Sequence, residues 1–228
     1  MELHKLLILQ AKKNGSPMIK IIKAILEAIK PPVTDPLYDP EPTAEEMFST
    51  QIEQTKSLFI SAGHSDTDPG AVGNGYTEAQ IVTEFRDLVA EELRVFGIEF
   101  SKDGETGQNL PLRKAAQMAS SHDIAIEWHC NAFSNPQATG TETLCADPTN
   151  QLSIDLCAVT SEVLTIRDRG AKAENSGQHS RLAFVSTGKG IIHELFFITN
   201  SNDLSAYQNN KHELAKRIAG LLAVVVCE

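Results

Sequence analysis

Leu58-Phe59-Ile60-Ser61-Ala62-Gly63-His64-Ser65-Asp66-Thr67-Asp68-Pro69-Gly70-Ala71-Val72-Gly73-Asn74-Gly75-Tyr76-Thr77-Glu78-Ala79-Gln80 is the stretch on which the fold turns. Leu58 to Ile60 is a short apolar run, and such a run reads as a buried strand. It ends at Gly63-His64. A polar loop follows, with Gly70, Gly73 and Gly75 in it, and Glu78 then opens a helical pattern that runs to about Phe96. His64 therefore stands at a strand end and Glu78 in the first turn of the next helix. In open α/β sheets that edge is where ligands bind. A histidine and a carboxylate joined there by a glycine-rich loop make a candidate metal pair.

Two further stretches complete the constellation. Asp123-Ile-Ala-Ile-Glu-Trp-His-Cys-Asn-Ala132 is a second buried-strand pattern and carries His129. On it Ile126 and Trp128 share one face, and Glu127 and His129 the other. Gly190-Ile-Ile-His-Glu-Leu-Phe-Phe-Ile-Thr-Asn200 is a third apolar run with Glu194 inside it. A carboxylate in an apolar run is costly unless it is paired, hydrogen-bonded or metal-linked. His64, Glu78 and His129 would offer a metal two nitrogens and one oxygen and leave a position open, which is the pattern of a catalytic zinc site rather than a structural one. Glu194 would then be the acid/base beside it.

The ordered set resembles the zinc-dependent N-acetylmuramoyl-L-alanine amidases, the cell-wall amidase class also found in phage lysins. The pieces that carry the resemblance are Gly63-His64, Asp68-Pro-Gly-Ala71, Gly75 with Glu78, Leu112-Arg113, Trp128-His-Cys-Asn131, Arg169-Gly-Ala-Lys172, and Glu194-Leu-Phe-Phe-Ile-Thr-Asn200 followed by Asp203. They span roughly residues 57–226. The resemblance implies zinc bound by His64, Glu78 and His129, a catalytic Glu194, and peptidoglycan as the partner. The bond cut would be the amide between N-acetylmuramic acid and L-Ala, with the protein acting as a phage or prophage endolysin. The chain departs from the family in three places. Glu127 stands where a small polar residue is usual, His193 where an aliphatic one is common, and Ser65-Asp66 where a glycine pair is expected. Glu127, Asn131, His179 and His193 are therefore further candidates for supporting a ligand or touching substrate. Two alternatives share the pattern: a zinc peptidase cutting another stem-peptide bond, and a non-catalytic wall-binding protein on the same fold. A Ser-His-Asp hydrolase is disfavoured, because no G-x-S-x-G elbow occurs.

Composition narrows the partners. The 228 residues are 41% hydrophobic and 22% charged, ordinary for a globular protein, with a net charge of −10. A nucleic-acid binder would normally show a basic footprint, so none is expected. Four cysteines, Cys130, Cys145, Cys157 and Cys227, form no CxxC pair and read as reduced thiols. No stretch approaches the ~20 apolar residues of a membrane span. No secretory signal is recognisable at the N-terminus. The expectation is synthesis in the cytoplasm and action on the cell wall, in the host periplasm for a phage lysin.

Along the chain, residues 1–30 are lysine-rich, with Met18 to Lys30 amphipathic at helical spacing. That segment could pack on the rest of the chain or touch a membrane or outer surface. Residues 31–56 form a proline-rich acidic linker, with a capping pattern at Thr43-Ala-Glu-Glu that could start a short helix. Residues 57–228 form the catalytic domain. Within it, helices are expected at about 78–96, 111–120, 153–167 and from Asp203 to about Val226. Strands are expected at 58–60, 98–100, 124–129, 139–145, 182–185 and 191–198, and residues 168–181 read as a long polar loop holding His179. Strands alternating with helices predict an α/β fold: a single mixed, mostly parallel sheet with helices on both faces. The zinc site would lie at the strand ends, and an extra N-terminal helical segment would precede the catalytic domain.

Overall fold

The structure, a computed structural model, describes residues 54–65, 67–176 and 181–227. The helical segment and most of the linker expected before residue 54, and His179, lie outside them. Strands β1 (Leu58–Ala62), β4 (Ser101–Lys102), β5 (Ile124–Asn131), β6 (Thr141–Cys145), β7 (Asp168–Ala173) and β8 (Ile191–Phe197) form one sheet in the order β4-β1-β5-β8-β6-β7. Only β8 against β6 is antiparallel; the other neighbours run parallel. The last strand in sequence thus inserts at the centre of the sheet, between β5 and β6.

Helix α1 (Glu78–Val95) shows why its sequence is helical. Thr77 caps it: its hydroxyl accepts the Gln80 amide while the Gln80 side chain accepts the Thr77 amide. Ile81, Phe85, Val89 and Leu93 recur on one buried stripe. Gly97, at φ +70°, ends the helix in a conformation open to glycine. The stripe meets one face of the sheet, where Leu58, Ile60, Ile126 and Trp128 are buried. Helices α3 (Gln151–Leu164) and α5 (Ser201–Val226) cover the same face. Trp128 packs edge-on against Phe85 at 5.4 Å, and Tyr207 of α5 stacks on Phe196 at 4.9 Å. Burying side chains of this size contributes roughly 1.5–3 kcal/mol each.

The other face is covered more thinly. Phe59, Ala125 and Ile192 pack under α2 (Leu112–Ala119) and the four-residue α4 (Ala183–Ser186). These two helices cover one part of that face, and the polar side chains of β5, β8 and β6 occupy the rest.

Four local expectations are corrected. Residues 168–173 are strand β7, not loop; β7 is an edge strand built of charged and small residues, so it lacks the apolar alternation that marks a strand in sequence. Leu182 to Val185 is not a strand but leads into α4, because a four-residue apolar run fits either period. The strand placed at 98–100 pairs instead at Ser101–Lys102. The loop after His64 contains a small hairpin, β2 (Val72–Gly73) and β3 (Tyr76–Thr77), turning on Asn74 and Gly75 at φ +49° and +85°. An Asn-Gly pair is the sequence signal for such a turn.

Candidate functional site

Three side chains meet at the carboxyl ends of β1 and β5. His64 follows β1, Glu78 opens α1 and His129 lies near the end of β5. The Glu78 carboxylate sits between the two rings, 3.0 Å from His64 Nε2 and 2.8 Å from His129 Nδ1. It also accepts the Ala71 and Cys130 amides at 2.9 and 3.0 Å. Burial raises its pKa, yet the bonds from the two histidines outweigh that and hold the carboxyl well below its usual range. Burial works the other way on both imidazoles, but their carboxylate partners prevail and hold both pKa values above the usual one.

The outer nitrogen of each ring also faces a carboxylate. His64 Nδ1 is 3.1 Å from Asp68 Oδ2, and His129 Nε2 is 3.1 Å from Glu127 Oε1. Glu127 is itself anchored by the Ser61 hydroxyl. Histidine ligands in metal sites typically donate their second N–H to such a group, which fixes ring orientation and raises basicity.

The donor set and the space around it fit a metal ion. One ligand-type atom from each of His64, Glu78 and His129 lies within 4.8 Å of the other two. Glycines make the room. A Cβ at Gly70, which sits at φ +64°, would fall 2.5 Å from the His64 ring and 2.7 Å from Glu78 Oε2. A Cβ at Gly63 would fall 2.3 Å from the His129 ring. Zinc accepts two imidazole nitrogens and a carboxylate and leaves a fourth position open.

Glu194 stands beside this cluster. In the parallel β5–β8 pair its Cα partner is His129, so both side chains leave the same face. Its Oε2 is buried and has no hydrogen-bond partner among the described residues. Burial pushes its pKa up to about 7. A carboxyl poised near neutrality is suited to moving a proton.

Asn131 and His193 hydrogen-bond to other groups than the two histidines. Asn131 Nδ2 donates to Glu142 of β6 at 3.1 Å. His193 alternates with Glu194 and so turns to the opposite face, where its Nε2 lies 3.2 Å from both the Thr141 and Thr160 hydroxyls. Burial pushes its pKa down to about 3, so it is neutral there. Cys130 likewise faces the core.

Two supports escape the sequence. His64 itself is held at φ +67°, a left-handed backbone conformation that costs a non-glycine residue about 1–2 kcal/mol. Asn109 stabilises it: its buried Nδ2 lies 2.7, 2.8 and 3.0 Å from the carbonyl oxygens of Ala62, Gly63 and His64. The loop that carries Asn109 is pinned in turn by the fully buried Arg86, which donates to the Asp103 carboxylate and to the carbonyls of Asp103 and Glu105. No local pattern marks Asn109, because its partners are more than 40 residues away. The second is the role of Asp203, at the start of α5, a residue the sequence marks only as part of the resemblance and as a helix start. It receives the Thr139 hydroxyl and the amides of Gly140 and Phe197, tying the end of β8 to the start of β6.

Comparison with known proteins identifies the family and the fold. The family model described as N-acetylmuramoyl-L-alanine amidase matches residues 58–223. A crystal structure from Neisseria meningitidis, assigned as an N-acetylmuramoyl-L-alanine amidase, is 37% identical with a TM-score of 0.68, covering 75% of this chain and 96% of that one. The N-acetylmuramoyl-L-alanine amidase of Clostridium difficile 630 shares the fold at 22% identity and a TM-score of 0.63, covering 76% of this chain and 98% of that one. The N-acetylmuramoyl-L-alanine amidase LytC of Bacillus subtilis is 27% identical over 159 residues, 66% of this chain but only 31% of LytC. On the match across 58–223 and the Neisseria likeness together, this chain belongs to the N-acetylmuramoyl-L-alanine amidase family.

Proposed function

We propose that the protein is a zinc-dependent N-acetylmuramoyl-L-alanine amidase that hydrolyses the peptidoglycan amide between the lactyl group of N-acetylmuramic acid and L-Ala. His64, Glu78 and His129 would hold the zinc, and Glu194 would be the acid/base. The observation that carries this reading is the register of Glu194 with His129, which sets a carboxyl, its Oε2 buried and unpartnered among the described residues, one strand away from the histidine–glutamate–histidine cluster.

A zinc ion held by His64, Glu78 and His129 would supply Lewis acidity to the scissile carbonyl and would lower the pKa of water toward ~7. The chain's own residues do the rest. Asp68 and Glu127 would accept hydrogen bonds from the outer ring N–H groups, leaving the lone pairs of His64 Nε2 and His129 Nδ1 facing inward to bind a metal. Glu194, once ionised, accepts the proton of the attacking water and returns it to the leaving amine nitrogen. The buried setting of its Oε2 keeps bulk water from competing for that proton.

The test is mass spectrometry of purified peptidoglycan digested with the protein, with and without a chelator and added zinc. Stem peptides beginning at a free L-Ala amine, abolished by chelator and restored by zinc, are expected. Cleavage inside the stem would move the reading to a peptidase, and no cleavage by the zinc-loaded protein would overturn it in favour of a wall-binding role. The endolysin role is carried on the family resemblance. Co-expression with a holin should then lyse a bacterial host, and survival of the culture would refute that role alone.

A further inference from the structure

A charged cluster lies on the far side of Glu194 from the histidines. Glu142 of β6 is the antiparallel register partner of Glu194, so His129, Glu194 and Glu142 form a row across three neighbouring strands. Two residues of β7 reach back to Glu142. Arg169 Nε and Lys172 Nζ both donate to its Oε2, at 2.5 and 2.6 Å, while Asn131 donates to Oε1. Two cations on one carboxylate leave a net positive charge.

The cations are both positioned and accessible. The Arg169 guanidinium lies 5.0 Å over the Phe197 ring, and cation–π contact of that kind restrains its plane. Its Nη1 and Nη2 have no hydrogen-bond partner among the described residues. The Arg169 and Lys172 side chains keep 27% and 31% of their surface exposed. The carboxylates on the other side belong to the histidine cluster, Glu78 between the two rings and Asp68 and Glu127 at their outer nitrogens.

We infer that Arg169 and Lys172 form a subsite for a carboxylate on the peptide that departs with the amine. The inference rests on the amidase reading and sets the direction of the substrate. The leaving nitrogen must take its proton from Glu194, so it lies on the Glu194 side of the histidines. The peptide attached to that nitrogen therefore continues along the row, toward Glu142 and the two cations. Neighbouring strands are ~4.8 Å apart, and an extended peptide advances ~3.5 Å per residue. That places the residue after L-Ala opposite the cations, and a carboxylate on this second residue meets a bidentate guanidinium and an ammonium. Glu142 acts as a positioning residue that holds both.

The experiment compares two N-acetylmuramoyl peptides that differ only at the second residue, one with a free carboxylate and one with the carboxamide. Both are cleaved by the zinc-loaded enzyme, and the ratio of their kcat/KM values is read. The free acid is expected to be favoured by about tenfold or more, since a hydrogen bond to a charged group is worth a factor of that order. The preference should shrink as salt is raised from low ionic strength. In Lys172→Met and Arg169→Gln the ratio should fall toward one. A variant that merely folds less well lowers both rates and leaves the ratio alone, which would count against the subsite. Equal rates for the two substrates with wild-type enzyme would overturn the subsite and leave the amidase standing. Cleavage of neither would overturn the amidase reading and the subsite with it.

Discussion

Replacing Asn109 by alanine removes one carboxamide nitrogen that serves three carbonyls, those of Ala62, Gly63 and His64. Two protons are shared among three acceptors, so about two net hydrogen bonds are lost. Each is worth about 0.5–1.5 kcal/mol, and more where a buried carbonyl is left without a partner, about 1–3 kcal/mol. The loss should come to roughly 2–4 kcal/mol. For a folded unit of this size each kcal/mol moves Tm by about 2–4 °C, which gives a fall of roughly 5–15 °C. The effect should not stop at stability. His64 is held in a left-handed conformation that relaxes once the carbonyls on either side of Gly63 are released. Zinc affinity, measured by chelator competition, should therefore weaken by about tenfold or more, the order seen when outer supports of metal ligands are removed. Asn109→Asp should be worse than alanine in both assays, because it points a carboxylate at three carbonyl oxygens. A Tm shift under about 2 °C with unchanged zinc affinity in Asn109→Ala would refute the idea that this side chain sets the ligand loop.

The remaining expectations concern the cluster itself. Gly70→Ala places a methyl 2.5 Å from the His64 ring, and at φ +64° no L side chain is comfortable, so zinc retention after dialysis should be largely lost. Glu127→Gln keeps the shape but removes the charge facing His129 Nε2; isothermal titration should show zinc binding weaker by about 10–100-fold. Glu194→Gln should keep zinc by metal analysis yet lose activity by about 10²–10⁴-fold, and a variant near wild-type rate would remove Glu194 from the reaction. With wild-type enzyme the ionised form of Glu194 is the competent base, and burial has raised its pKa to about 7. The rate constant kcat/KM should thus rise with pH through a midpoint at or below 7, because a bound cation can only lower that value. A flat profile from pH 5 to 8 would contradict the assignment.

Much of this was legible in one dimension because it is carried by short, local patterns. The apolar runs at Leu58, Ile124 and Ile191 are strands, and the glycine-rich stretch before Glu78 is the loop that brings His64 and Glu78 together. Strand β7 was not legible, since an edge strand facing solvent has no reason to alternate. Nor was α4, since four apolar residues satisfy both periods. His193 stands out in sequence because it replaces the family's usual aliphatic residue, but adjacency to Glu194 on a strand sends the two side chains to opposite faces.

The sequence by itself determined the α/β class, the His64, Glu78 and His129 grouping, and the presence of a carboxylate inside an apolar run at Glu194. Hydrophobic period, glycine placement and the cost of burying charge are all properties of nearby residues. Only the tertiary structure decided how these pieces address one another. The insertion of β8 between β5 and β6 puts Glu194 in register with His129 on one side and Glu142 on the other. Asn109 closes on the His64 turn from 45 positions away, and Arg169 and Lys172 converge on Glu142 from an edge strand with no apolar signature. Strand order and register are set by packing of the whole core, and no window of sequence contains both partners of such a contact.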